Sequence, residues 1–122
     1  MSTTVGNINL FTRDIEQTRR FYVEVIGLVE IVERSVPPTF FLLNGGSCTV
    51  TLQDTHTPGA DFVPGTSIEL GFAVDDVAAV GQQLQAWGMA VGDLQQMGWG
   101  LALESYDPDG RRLIIFRMTE ET

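Results

Sequence analysis

Asn7-Ile8-Asn9-Leu10-Phe11-Thr12-Arg13-Asp14 has a counterpart in Glu69-Leu70-Gly71-Phe72-Ala73-Val74-Asp75-Asp76. The second stretch lies 62 residues beyond the first at both of its ends, about half of the 122-residue chain. Each is an apolar-rich run that ends in Asp, and each closing Asp opens an amphipathic helical pattern. A repeat at half the chain length implies two copies of one small structural unit, packed so that a cavity can form between them.

Working outward, residues 5–13 read as a strand and Asp14 as a helix N-cap, because a carboxylate there accepts the unpaired amides of the first turn. Ile15, Thr18, Phe21, Tyr22, Val25 and Ile26 follow at helical spacing, and Gly27 stops the helix. Residues 28–35 read as a strand, broken by Pro37-Pro38. Residues 39–43 are a third strand, Asn44-Gly45-Gly46 a hairpin turn, and 47–53 a fourth strand. Pro58, Gly59, Pro64 and Gly65 mark 54–67 as a linker. The second half repeats the order. It has a strand over 68–74, a helix capped by Asp75 or Asp76 with Val77, Val80, Leu84 and Trp87 on one stripe, and Gly88 as its stop. Then come a short strand over 89–91, a polar loop over 95–100 holding Trp99, a strand over 101–106, a turn at Asp107-Pro108-Asp109-Gly110, and a last strand over 112–118. Residues 119–122 are expected to fray. The module boundaries are thus 5–53 and 68–118, within one domain spanning 1–122. The fold class is α+β: two βαβββ modules forming a cupped mixed sheet with helices on its outer face, whose concave side needs filling by side chains or a ligand.

Composition narrows the function. Hydrophobic residues make up 43% and the mean hydropathy is +0.08, as in a folded soluble protein. No run approaches the roughly 20 apolar residues of a membrane span, and the N-terminus lacks the pattern of a secretion signal. The net charge is −9, and all seven basic residues are Arg. A nucleic-acid partner, which needs clustered cations, is therefore not expected, nor is a membrane partner. The one cysteine, Cys48, precludes an internal disulfide and fits a reducing cytoplasm. In its strand-like run it reads as a small buried hydrophobe rather than a nucleophile. The single histidine, His56, falls in the linker and reads as a surface loop residue.

Asp14 with Arg20-Phe21-Tyr22 and Ile26-Gly27-Leu28, and Trp99-Gly100 with Asp107-Pro108-Asp109-Gly110, resemble the opening and closing motifs of the vicinal oxygen chelate superfamily. That superfamily includes glyoxalase I, extradiol dioxygenases and bleomycin-resistance proteins. The resemblance runs from about residue 5 to 117 and implies paired βαβββ modules, commonly in a homodimer. It also implies four positions where enzymes of the superfamily hold a divalent metal, one on the first and one on the last strand of each module. Motif distances place these at Asn7, Thr51, Glu69 and Ile114. Of the four, only Glu69 is a good donor, Ile114 cannot coordinate, and a chain with one His cannot build a two-His-one-carboxylate triad. Neither a metal nor another cofactor is expected.

The concave face is then expected to bind a small molecule. Strand alternation puts Ala102, Glu104 and Tyr106 on one side of their strand, and Leu101, Leu103 and Ser105 on the other. Glu104 is read in two ways. The resemblance implies an inward carboxylate that, with Glu69, attracts a cation or raises its partner's pKa; otherwise Glu104 is solvated or paired with one of Arg111, Arg112 and Arg117. Trp99 offers a face for a planar ligand. One of Phe40 and Phe41 faces the cup, and Phe40 is taken as the ligand-side residue. Phe11 and Phe72 add further wall or core, and Met89, Met97 and Met118 an adaptable lining or gap-filling. The expected ligand-binding set is Asn7, Phe40, Thr51, Glu69, Trp99, Ala102, Glu104 and Ile114.

The resemblance to bleomycin-resistance proteins implies a metal-free binding protein that sequesters an aromatic or cationic compound such as an antibiotic. The alternative is a lyase, isomerase or dioxygenase-like enzyme, either metal-dependent or using Glu69 or Glu104 as its acid or base. A regulatory domain whose cup is filled by its own side chains is disfavoured, because Ala102 and Thr51 leave room.

Overall fold

The two capping aspartates adopt nearly the same backbone conformation, φ −127° and ψ 88° at Asp14 against φ −130° and ψ 93° at Asp76. Each side chain accepts a hydrogen bond from the amide three residues on, Gln17 N at 3.2 Å and Ala79 N at 3.0 Å. The helices also end alike, on Gly27 at φ 93° and Gly88 at φ 91°, left-handed positions where a Cβ would be strained. The repeat read in the sequence is thus a repeat of local geometry. The computed structural model describes residues 2, 4–56 and 68–119. The chain divides into two compact units, residues 1–64 and 65–122.

In the first unit, β1 (Asn7–Thr12) leads into α1 (Ile15–Arg20), which continues as a π-helical segment over Phe21–Ile26. Then follow β2 (Val29–Glu30), a 3₁₀ turn (Val32–Arg34), β3 (Phe40–Asn44) and β4 (Thr49–Asp54). The strand order is β1-β4-β3-β2, with β1 and β4 parallel and the other pairs antiparallel. Leu10, Phe21, Tyr22, Leu43 and Leu52 are almost wholly buried. The Phe21 and Tyr22 rings meet edge to face at 5.2 Å.

In the second unit, β5 (Glu69–Ala73) leads into α2 (Val77–Ala86). β6 (Gln95–Met97), β7 (Gly100–Tyr106) and β8 (Arg112–Met118) complete it. The order β5-β8-β7-β6 copies the first sheet, again with the first and last strands parallel. Val77, Gly81 and Leu84 are the buried side of α2, whereas Val80 and Trp87 of the expected stripe are half-buried. A Cβ on Gly81 would lie 2.8 Å from a methyl of Leu103, so the helix approaches β7 closely there.

Three expectations are corrected. Only Val29–Glu30 of residues 28–35 is strand. The Ser35 hydroxyl donates to the Ile31 carbonyl at 3.1 Å and accepts the Leu42 amide at 3.0 Å, taking a backbone donor that a longer strand would have paired. Residues 89–91 are not a strand. The hairpin partner of β7 is instead 95–97, within the expected loop, and Gly98-Trp99 is its two-residue turn. Asp54 belongs to β4 rather than to the linker. Residues 57–67 of that linker and 120–122 of the tail lie outside the described residues.

The matching caps carry equal weight. Asp14→Ala and Asp76→Ala should each lower the unfolding free energy by about 1 kcal/mol, with Asn at either site restoring most of it. Urea unfolding of the four variants checks this; a loss at one cap only would show that the two halves do not share this determinant.

Candidate functional site

The Asp-Pro-Asp-Gly turn decides what faces outward on β8. Asp107 and Arg111 are both 2% exposed. Arg111 Nη1 donates to Asp107 Oδ2 at 2.8 Å, and Asp107 Oδ1 accepts the amides of Asp109 at 2.9 Å and Arg111 at 3.0 Å. With Arg111 buried in this clasp, the next residue, Arg112, is placed on the open face. Leu113 and Ile115 are then fully buried, and Arg112, Ile114 and Phe116 share the face away from them. Cross-strand register adds Glu69 and Gly71 from β5, and Tyr106, Glu104 and Ala102 from β7.

That face of the second unit holds a depression of about 490 Å³. Glu69, Ala102, Glu104, Arg112 and Ile114 line it together with Met97 and Trp99, and Asp93 and Gln95 complete its rim. Volumes of roughly 300–1,000 Å³ are usual for small-molecule sites. Trp99, at the tip of the β6–β7 hairpin, is 42% exposed and meets Phe116 edge to face at 6.0 Å. Gly100 behind it is pinched against β8, where a Cβ would stand 2.0 Å from the Arg117 carbonyl oxygen. The Trp99 carbonyl accepts the Thr119 amide at 2.7 Å, which anchors the tip.

Glu69 and Glu104 do converge, on Arg112. Its Nη1 is 2.6 Å from Glu69 Oε2, and its Nε and Nη2 are 2.8 and 2.6 Å from Glu104 Oε2. Tyr106 donates its hydroxyl to Glu104 Oε1 at 2.7 Å. Glu104 is therefore paired, as the second of its two readings has it, and the alternative in which its pKa is raised does not hold. The Tyr106 hydrogen bond, then Arg112, holds this carboxyl below its usual range. The same bond, seen from the other side, pushes the Tyr106 phenol above its ordinary value. A carboxylate held ionised in this way is a weaker base, which counts against Glu104 as the proton acceptor of an enzyme.

The other predicted residues belong to the first unit. Asn7 donates its amide to the Thr51 hydroxyl at 3.1 Å and accepts from the Thr49 hydroxyl at 2.6 Å. Thr51 donates to Asn9 Oδ1 at 2.8 Å, and Asn9 donates to Gln53 Oε1 at 3.0 Å. Phe40 stands opposite Gln53 on the same face and is half-buried, whereas Phe41 is buried with the Arg19 guanidinium 5.1 Å from its ring centre. His56 is exposed and hydrogen-bonded to Asp54.

At the positions that the resemblance assigns to metal ligands, neither unit offers a pair of donors suited to a divalent cation. Ile114 has no donor atom, Asn7 and Thr51 are bonded to each other, and Glu69 is held by Arg112. Among the described residues no group of three or more His, Cys, Asp or Glu side chains could hold a metal. Arg112 itself was legible only as one of three possible partners for Glu104. With Ile114 placed on the open face, the period of two puts Arg112 there as well.

Two βαβββ units with the same strand order, the second carrying an aromatic-walled depression, define the class. The chain belongs to the Glyoxalase/Bleomycin resistance protein/Dioxygenase superfamily, whose family model matches residues 4–115. Its fold is similar to that of TnmS3, an antibiotic-binding protein from Streptomyces sp. CB03234, with 25% identity, a TM-score of 0.75, and 97% of this chain and 98% of that one covered. A glyoxalase/bleomycin resistance protein/dioxygenase family enzyme from Burkholderia phytofirmans PsJN matches with 22% identity and a TM-score of 0.79, covering 93% of this chain and 98% of that one. Lactoylglutathione lyase from Agrobacterium tumefaciens matches with 16% identity and a TM-score of 0.68, covering 95% and 94%. No curated protein matches the chain significantly. Among the described residues no helix is long and apolar enough to cross a membrane.

The Glu104–Tyr106 bond fixes a pH signature. Glu104 has a lowered folded pKa, so its contribution is complete above the unfolded value of about 4.3 and is lost as pH falls through the folded one. Tyr106 has a raised folded pKa, so its contribution is complete below about 10 and is lost as pH rises through the folded value. In an NMR titration the Tyr106 ring should titrate above 10 in the parent, and lower in Glu104→Gln. An unchanged midpoint in the variant would break the assignment.

Proposed function

We propose that this chain is a small-molecule-binding protein that seats an aromatic compound, such as an antibiotic, in the depression of its second unit without using a metal. The observation that carries the reading is the depression itself. Trp99 forms an exposed indole wall, Met97, Ala102 and Ile114 supply an apolar lining, and the Glu69–Arg112–Glu104 group stands on the same sheet face. The antibiotic-binding description of TnmS3 supports the same reading. The cationic ligand expected from two inward carboxylates is less favoured, because Arg112 already answers both of them. The proposal includes a cytoplasmic homodimer; sedimentation velocity giving only monomer at micromolar concentration would argue against the dimer.

A Trp87→Phe variant leaves Trp99 as its one indole. Titrated with fused-ring aromatic antibiotics, it should show saturable quenching, and Trp99→Ala should weaken calorimetric affinity about tenfold or more. Affinity unchanged by Trp99→Ala would move the ligand elsewhere. Calorimetric titration of untagged protein with Mn²⁺, Fe²⁺, Ni²⁺ and Zn²⁺ should give no stoichiometric uptake. Tight one-to-one binding would overturn the metal-free reading and put a glyoxalase- or dioxygenase-like enzyme in its place.

A further inference from the structure

We propose that Arg112 reads the ligand, and that it selects an aromatic compound bearing a neutral carbonyl oxygen; this rests on the binding reading above. A guanidinium has five N–H donors. Of those on Arg112, Nε–H is hydrogen-bonded to Glu104 and one Nη1–H to Glu69, while Nη2 makes an ion-pair contact with Glu104. The second N–H on Nη1 and those on Nη2 make no hydrogen bond among the described residues, and Arg112 lines the depression. Because carboxylates grip the fork from two sides, these donors are held in place before a ligand arrives, and little freedom is lost when an acceptor meets them.

Charge then chooses the acceptor. The depression is lined by the carboxylates of Glu69, Asp93 and Glu104 against the single cation Arg112. An anionic oxygen would meet that surplus of negative charge, whereas a carbonyl takes the hydrogen bonds without the repulsion. Spacing chooses the shape. Arg112 and Phe116, against which Trp99 packs, lie on one face of β8 and are four residues apart, about 13 Å along the strand. The arginine side chain covers part of that interval and a fused aromatic ring the rest, with its ring toward Trp99 and its carbonyl toward Arg112. A lysine could not do the same, since it lacks a planar fork to be gripped and still present donors.

The test uses three probes on one ring system: 2-acetylnaphthalene with a neutral carbonyl, 2-ethylnaphthalene without oxygen, and 2-naphthoate with an anionic one. With the full chain, the acetyl compound should bind about tenfold tighter than the ethyl compound, the size of one charge-assisted hydrogen bond. It should also bind tighter than the naphthoate. The acetyl-over-ethyl preference should disappear in both Arg112→Met and Arg112→Lys, while affinity for the ethyl compound stays. Should these variants fail to fold, the ¹⁵N guanidinium resonances of Arg112 in the parent decide. They should shift with the acetyl compound and not with the ethyl compound; equal shifts overturn the proposal. Equal binding of acetyl and ethyl probes, both weakened by Trp99→Ala, would sink the role of Arg112 and leave the aromatic site standing. Tightest binding of naphthoate would overturn the choice of a neutral acceptor. Binding of none of the three would remove the aromatic site, and this inference with it.

Discussion

The buried ion pair of Asp107 and Arg111 sets the phase of the second sheet. Two charges taken out of water are tolerated only when their hydrogen-bonding capacity is met, and removing one partner of such a pair typically costs roughly 3–5 kcal/mol. Here the aspartate accepts two backbone amides as well as the guanidinium. With that clasp in place, a one-residue slip of β8 would expose Leu113 and Ile115 and bury Arg112, so the register has no near competitor. The make-up of the depression follows from this. Adjacent arginines meet opposite fates, one as a structural cation and the other as a surface donor.

The two sheets share a plan and differ in chemistry. The first carries a ladder of amides and hydroxyls from Asn7 through Thr49, Thr51 and Asn9 to Gln53, each bonded to a neighbour. The second carries an ionic group, small residues at Gly71 and Ala102, and an aromatic edge at Trp99 and Phe116. A face whose polar groups satisfy one another gives up little by staying as it is. A face with an exposed indole and unspent guanidinium donors has more to gain from a ligand.

Most of the fold was legible because its signals are local. The capping aspartates, the stopping glycines and the period-two strands depend on a few neighbouring residues, and they were read at the right places. The misreadings fall where a side chain competes with the backbone or a hairpin is short. Ser35 diverts the Leu42 amide, and Gln95–Met97 pairs with β7 although its composition is that of a loop. For the site, strand alternation put Ala102 and Glu104 on one side of their strand, and the motif distances of the family resemblance pointed to Glu69 and Ile114. They left open whether Glu104 would be an unpaired inward carboxylate or paired with one of three arginines, and did not show that both carboxylates would meet Arg112. Long-range pairing between 69, 104 and 112 is set by sheet register, which no local pattern specifies.

Asn7 with Thr49, and Glu69 with Arg112, occupy corresponding places where the first strand of each unit runs beside its last. One couple is neutral and the other ionic, and each is joined by a direct side-chain bond of 2.6 Å. What the halves hold in common there is complementarity rather than identity. Substitution at one member leaves its partner without its bond, so these positions are expected to drift in pairs as such sequences diverge. Two duplicated modules can thereby keep one backbone while their faces acquire unrelated vocabularies.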